Sequence, residues 1–156
     1  MKKTKKIVVI ACIVVALLII GVLINVFYWY KIQGLSAISF ENKTFYVEVA
    51  DDWPSRELWL MHRESLGENK WMLFVFPEPW IHAFWMKNTL IPLDMIWITE
   101  TDWEYRVVDI KTAQPCKSEP CEIYTPSGPA LFVLEINAWL AKWYGISSGD
   151  LVYIDR

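Results

Sequence analysis

Ala130-Leu131-Phe132-Val133-Leu134-Glu135-Ile136 is the run whose reading decides the fold class. It is too short for a buried helix and rich in branched and aromatic side chains, so it predicts a strand buried on both faces. Working outward, Met72–Phe76 is a second apolar run of strand length, with Pro77 and Pro79 expected to end it. Asp94–Thr99 and Arg106–Ile110 predict two more strands, joined by a hairpin turn over Glu100–Glu104. Thr44–Ala50 alternates, with Phe45, Val47 and Val49 on one face, and Asp150–Ile154 closes the chain as a last strand. Asp51-Asp52-Trp53-Pro54 opens a short helix reaching about Arg63, with an acidic cap and Pro in the first turn. A second short helix is expected over Asn137–Tyr144, stopped by Gly145. Many short strands with two helices predict an α+β domain over residues 38–156, a mostly antiparallel rolled, barrel-like β-sheet.

The N-terminal segment is of another kind. Ile7–Tyr30 is apolar apart from Gly21 and Asn25. As a helix of ~24 residues it would be ~36 Å long, more than the ~30 Å hydrocarbon core. Lys2, Lys3, Lys5 and Lys6 precede it, which places a tail of residues 1–6 in the cytoplasm by the positive-inside rule. Phe27, Tyr28, Trp29 and Tyr30 look like an interfacial aromatic belt, with Lys31 just beyond and residues 31–37 as a linker. A cleaved signal peptide has a shorter apolar core and a small-residue exit, and this segment has neither. Cys12 follows too few apolar residues for a lipoprotein processing site and reads as a small lipid-facing residue. The expectation is a single-pass membrane protein, held in the membrane by residues 7–30, with its domain outside the cytoplasm.

Charge and cysteines agree with that placement. The five lysines of residues 1–31 face no acid there, whereas the remainder carries ten basic against 18 acidic side chains. An acidic domain is a poor partner for nucleic acid, whose binding rests on displacing counterions with positive surface. Cys116 and Cys121, in Pro-Cys-Lys-Ser-Glu-Pro-Cys, read first as a disulfide in an oxidising compartment. Half a zinc site and a pair of free thiols are the alternatives. His62 and His82 have no ligand-like spacing, so neither a metal nor a cofactor is expected. No Ser-His-Asp order and no Gly-rich phosphate loop occurs, and no catalytic residue is assigned.

Phe84-Trp85-Met86-Lys87-Asn88-Thr89-Leu90-Ile91-Pro92-Leu93-Asp94 resembles the family of domain of unknown function 192. The resemblance extends to Val47–Ala50, Leu60-Met61 and Met72–Phe76 upstream. Downstream it takes in Pro115-Cys116, Tyr124, Ala130–Asn137, Gly145-Ile146 and Gly149-Asp150, covering roughly residues 44–155 in order. It implies a compact α+β domain, often behind a signal or membrane anchor, and no particular chemistry.

The chain departs from that family's pattern in one way. Trp59, Trp71, Trp103 and Trp139 stand where the family usually carries Gly, whereas Trp85 matches the family's own Trp and Trp97 replaces another aromatic. An indole cannot follow Gly into positive φ or into close backbone packing. The composition agrees, with 6 Gly against 10 Trp, where ~11 Gly are usual for this length. Two readings stay open: genuine Trp residues that repack the turns, or UGA codons that the source organism reads as Gly.

The segment Trp85–Asp94 is the candidate site, because it crowds polar groups against aromatic walls. Lys87 is placed to bind an anionic group, Asn88 and Thr89 to fix orientation, and Trp85 to stack on a sugar or other flat ring. In the competing structural reading, Asn88, Thr89 and Asp94 cap turns and Lys87 pairs with Asp94. Glu135 breaks an apolar run and needs a partner or an exposed face; Arg63 is a candidate partner for Glu135 or Asp94. The histidines read as solvated. The expected function is binding of a small polar ligand or envelope glycan. The alternatives are a module docking an unknown envelope protein, and a hydrolase using Asp94 and Glu135.

Overall fold

The computed structural model describes residues 15–22, 35–58, 60–67 and 71–155. These belong to two compact units, residues 1–35 and residues 36–156. In the first unit residues 15–22 are helical; the rest of the expected span over 7–30, and the tail 1–6, lie outside the described residues. Among the described residues no helix is long and apolar enough to cross a membrane.

The second unit is a closed β-barrel with short helices. In chain order its elements are β1 (Leu35–Phe40), β2 (Lys43–Ala50), α1 (Trp53–Leu58), β3 (Trp71–Trp80) and β4 (Phe84–Trp85). They continue with β5 (Leu93–Thr101), β6 (Glu104–Ala113), β7 (Ile123–Tyr124), β8 (Ala130–Asn137), α2 (Leu140–Trp143) and β9 (Leu151–Asp155). The barrel order is β1-β2-β3-β8-β5-β6-β9, and β4 and β7 form a separate two-stranded ribbon. β2 and β3 run parallel, with α1 in the connection between them, as a parallel pair requires a crossover. β9 closes the barrel against β1, antiparallel, through Ile38 opposite Ile154.

Elements and expectations differ at their ends, for identifiable reasons. β1 takes in the end of the expected linker, because Ser36, Ile38 and Phe40 alternate inward and are buried. β3 runs on past Pro77 and Pro79 to Trp80, with the prolines inside a register shift between Val75 and Trp80, where a missing N–H is tolerated. α1 opens as expected, Asp52 Oδ1 accepting the Ser55 backbone N–H at 2.9 Å. It ends at Leu58, and Leu60–His62 form a turn in which His62 is left-handed. α2 is a single turn, preceded by Trp139 in the left-handed region.

Residues 71–74 of β3, residues 93–98 of β5 and most of β8 are buried on both faces, which is why these sequences are runs and not alternations. Leu73, Leu134 and Ile96 are mutual cross-strand partners on one face. That face is the barrel interior, shared with Phe45, whose ring meets Trp71 edge-on at 4.7 Å. Met72, Glu135 and Met95 are partners on the other face. That outer face is covered by the segment that follows β3: Phe84 packs edge-on against Phe74 at 5.1 Å and Trp97 at 6.2 Å, and the Trp97 indole N–H donates to the His82 carbonyl at 2.8 Å.

The Trp residues in the Gly-like positions fall into distinct settings. Trp103 (φ 67°) and Trp139 (φ 68°) hold left-handed backbone, where Gly is favoured and a Cβ is strained. Asp102 and Trp103, both at positive φ, make the tight turn between β5 and β6, a geometry for which Asp-Gly is the favoured pair. Trp71 has no positive φ; it is buried, and its indole nitrogen lacks a hydrogen-bond partner. Trp59 lies outside the described residues.

Candidate functional site

Asp94 is a structural residue. Its Oδ1 accepts the Thr112 hydroxyl at 2.6 Å and its Oδ2 accepts the Ala141 backbone N–H at 2.9 Å, tying β5 to β6 and to α2. Asp94 pairs with Ile136 across β5 and β8 and so shares its face; Glu135, the next residue along, points the other way. The expected carboxylate pair does not form, because one acid faces the barrel interior and the other the outer layer.

Glu135 faces a cavity. It is only 4% exposed, between Met72 and Met95 on the adjacent strands. Among the described residues its side chain makes no hydrogen bond and no ion pair. Desolvation alone pushes its pKa up to about 8, so it is a neutral carboxylic acid at pH 7. The cavity it lines measures about 550 Å³, within the range of small-molecule sites. Phe74, Phe76 and Phe84 supply aromatic walls, with Trp53 and Trp85 exposed at the mouth. Arg56, His82, Lys87 and Thr89 are the remaining polar lining groups.

Each of these groups is held by its own local structure. The Arg56 Nε–H donates to the Val75 carbonyl at 3.0 Å, a second donor reaches the Asp51 carbonyl, and the guanidinium lies 5.2 Å from the Phe76 ring centre. His82 was expected to be solvated but stacks on Phe76 at 3.6 Å and donates from Nε2 to the Glu78 carbonyl. Burial holds the His82 pKa below its ordinary value, so its ring is neutral at pH 7. Lys87 does not pair with Asp94. It bridges to Glu119 at 2.6 Å and lies 5.4 Å from the Trp85 ring centre.

Of the residues expected from the sequence, Trp85, Lys87, Thr89 and Glu135 come together in this cavity. Asn88 serves a turn: it is left-handed, and its carbonyl accepts the His62 N–H at 2.8 Å. Arg63 reaches Glu48 at 3.4 Å, and neither Asp94 nor Glu135. Cys116 and Cys121 form a disulfide, so zinc ligation and free thiols are set aside. Its loop carries Glu119 to Lys87, and the Cys116 N–H donates to the Met86 carbonyl. The sequence reading missed Arg56, Phe74, Phe76 and Phe84. The one signal available is the aromatic tract Trp80–Trp85 following a strand, a pattern more common in buried core than in a binding site.

Comparison with known proteins places the chain. Residues 36–154 match the family of domain of unknown function 192, described as "Uncharacterized ACR". A UPF0127 protein of Thermococcus gammatolerans is 34% identical over 115 residues, covering 70% of this chain and 67% of that one. A UPF0127 protein of Thermococcus kodakarensis is 32% identical over 111 residues, covering 68% of this chain and 62% of its own length. The crystal structure of a protein of unknown function from Novosphingobium aromaticivorans superposes with a TM-score of 0.65 at 34% identity, covering 76% of this chain and 83% of that one. The chain therefore belongs to the domain of unknown function 192 family.

Proposed function

We propose that this chain is a membrane-anchored, extracytoplasmic binding domain that holds a small polar ligand, or one unit of an envelope glycan, in the cavity over Glu135. The observation that carries the reading is the Glu135 carboxyl, on a residue only 4% exposed, which makes no hydrogen bond among the described residues and lines an aromatic cavity. A ligand that hydrogen-bonds to this carboxyl supplies the partner that the aromatic walls around it do not. Aromatic walls with a few convergent polar groups are the usual build of a small-molecule site. The anchor is supported by the lysines ahead of the apolar stretch Ile7–Tyr30, and the outside placement by the disulfide.

The test is a thermal-shift screen of the full chain in detergent against envelope sugars and metabolites. A ligand of this cavity raises the melting temperature, and Glu135→Leu removes that shift. Stabilising compounds that act equally on Glu135→Leu would move the site elsewhere. A second reading, docking of an envelope protein, draws on the exposed Trp80, Trp85 and Ile123, the last two cross-strand partners in the β4–β7 ribbon.

A further inference from the structure

The cavity's charges point to one class of ligand. At pH 7 its lining holds two cations, Arg56 and Lys87, and no ionised acid, because burial keeps Glu135 protonated. The neutral His82 adds no charge. A cationic ligand meets repulsion from both cations and finds no anion unless Glu135 ionises. A neutral ligand leaves both charges unused. An anionic ligand gains from Arg56 and Lys87, and the protonated Glu135 adds an O–H donor.

The protein itself supplies a carboxylate at this point. Glu119, carried by the Cys116–Cys121 loop, sits on Lys87 at 2.6 Å and is 68% exposed, whereas the Lys87 side chain is 39% exposed. Glu119 does not line the cavity; Lys87 does. The lysine is thus positioned between an exchangeable surface carboxylate on one side and the cavity on the other. Exposed ion pairs are worth little, so exchanging Glu119 for another carboxylate is cheap.

We infer that the cavity takes a small carboxylate borne on a sugar-type ring, which displaces Glu119 from Lys87 and lays its ring against Phe74, Phe84 and Trp85. This inference rests on the binding reading above and adds the charge of the ligand. Glu119 then acts as a competing internal carboxylate that lowers the apparent affinity.

The experiment titrates the full chain in detergent with three hexopyranoses that differ in charge, glucuronate, glucose and glucosamine, read by intrinsic Trp fluorescence and saturation-transfer NMR. Glucuronate is expected to bind about ten-fold or more tighter than glucose, the size of one charge-assisted contact, with glucosamine weakest. Lys87→Met brings glucuronate down to the level of glucose. Glu119→Gln tightens glucuronate roughly two- to five-fold and leaves glucose unchanged, the range of one exposed ion pair. If glucose and glucuronate bind equally and both need Glu135, the cavity is a binding site and the charge inference is overturned. A preference for glucosamine, or a Glu119→Gln variant that behaves as wild type, also overturns it. Should none of the three bind, the sugar-acid inference and the glycan form of the binding reading fall together.

Discussion

Asp94 and Glu135 sit one strand apart yet on opposite faces of the same sheet. Asp94 lies opposite Ile136 and turns into the barrel, and Glu135 lies opposite Met95 and turns out into the cavity. One-residue offsets in a strand exchange faces, so two acids close in the fold serve separate ends: one holds α2 in place, the other floors a candidate binding site.

Asp94→Ala removes the acceptor for the Ala141 N–H and the Thr112 hydroxyl. The buried Ala141 N–H left unpaired costs about 1–3 kcal/mol, whereas the exposed Thr112 hydroxyl turns to water, so the variant is less stable by about that much in urea denaturation. Ligand binding of the folded fraction is expected to be unchanged. A loss of binding without a loss of stability would return Asp94 to the site.

Glu135 sets a pH dependence of opposite sign to most carboxylates. Its folded pKa of about 8 lies above the ordinary 4.5, so the folded state keeps a proton that the unfolded chain releases between those values. Stability therefore falls as pH rises through that window, by on the order of a few kcal/mol, and levels off above it. His82 contributes the other way: its lowered pKa favours the fold above its ordinary 6.5 and is lost as pH falls below it. The Glu135→Gln difference from wild type isolates the first effect. Melting curves are expected to coincide near pH 4.5, with the Gln variant melting higher at pH 8. A parallel pair of curves across that range would mean that Glu135 is ionised in the fold.

Trp103→Gly and Trp139→Gly relieve left-handed backbone at positions where the side chains are 94% and 61% exposed and give up little burial. Each is expected to stabilise by about 1 kcal/mol, additively, because a Cβ at such φ costs that order. Differential scanning calorimetry reads the gain. The gene decides the reading of these positions: UGA at codons 103 and 139 would fit Gly in the source organism, and UGG at both would make the strained indoles genuine.

Membrane attachment has its own measurement. The full chain is expected to stay in the membrane pellet after alkaline carbonate extraction, with Cys116 and Cys121 resistant to alkylation until a reductant is added. Recovery in a soluble fraction with both thiols alkylated would remove the anchor and the outside placement together.

The sequence by itself determined the strands and the class. Buried runs such as Ala130–Ile136 and the alternation of Thr44–Ala50 are local patterns set by a two-residue period. The disulfide was legible from the spacing of Cys116 and Cys121, and the family from the residues around Phe84–Asp94. Only the tertiary structure decided which polar residues meet. Lys87 finds Glu119 across 32 positions, and Arg56 joins Phe76 and Glu135 around one cavity, because strand register and the fold-back of residues 81–92 bring distant segments together. Register is a property of paired strands and not of either alone, so the face on which Asp94 or Glu135 ends could not be read from one segment.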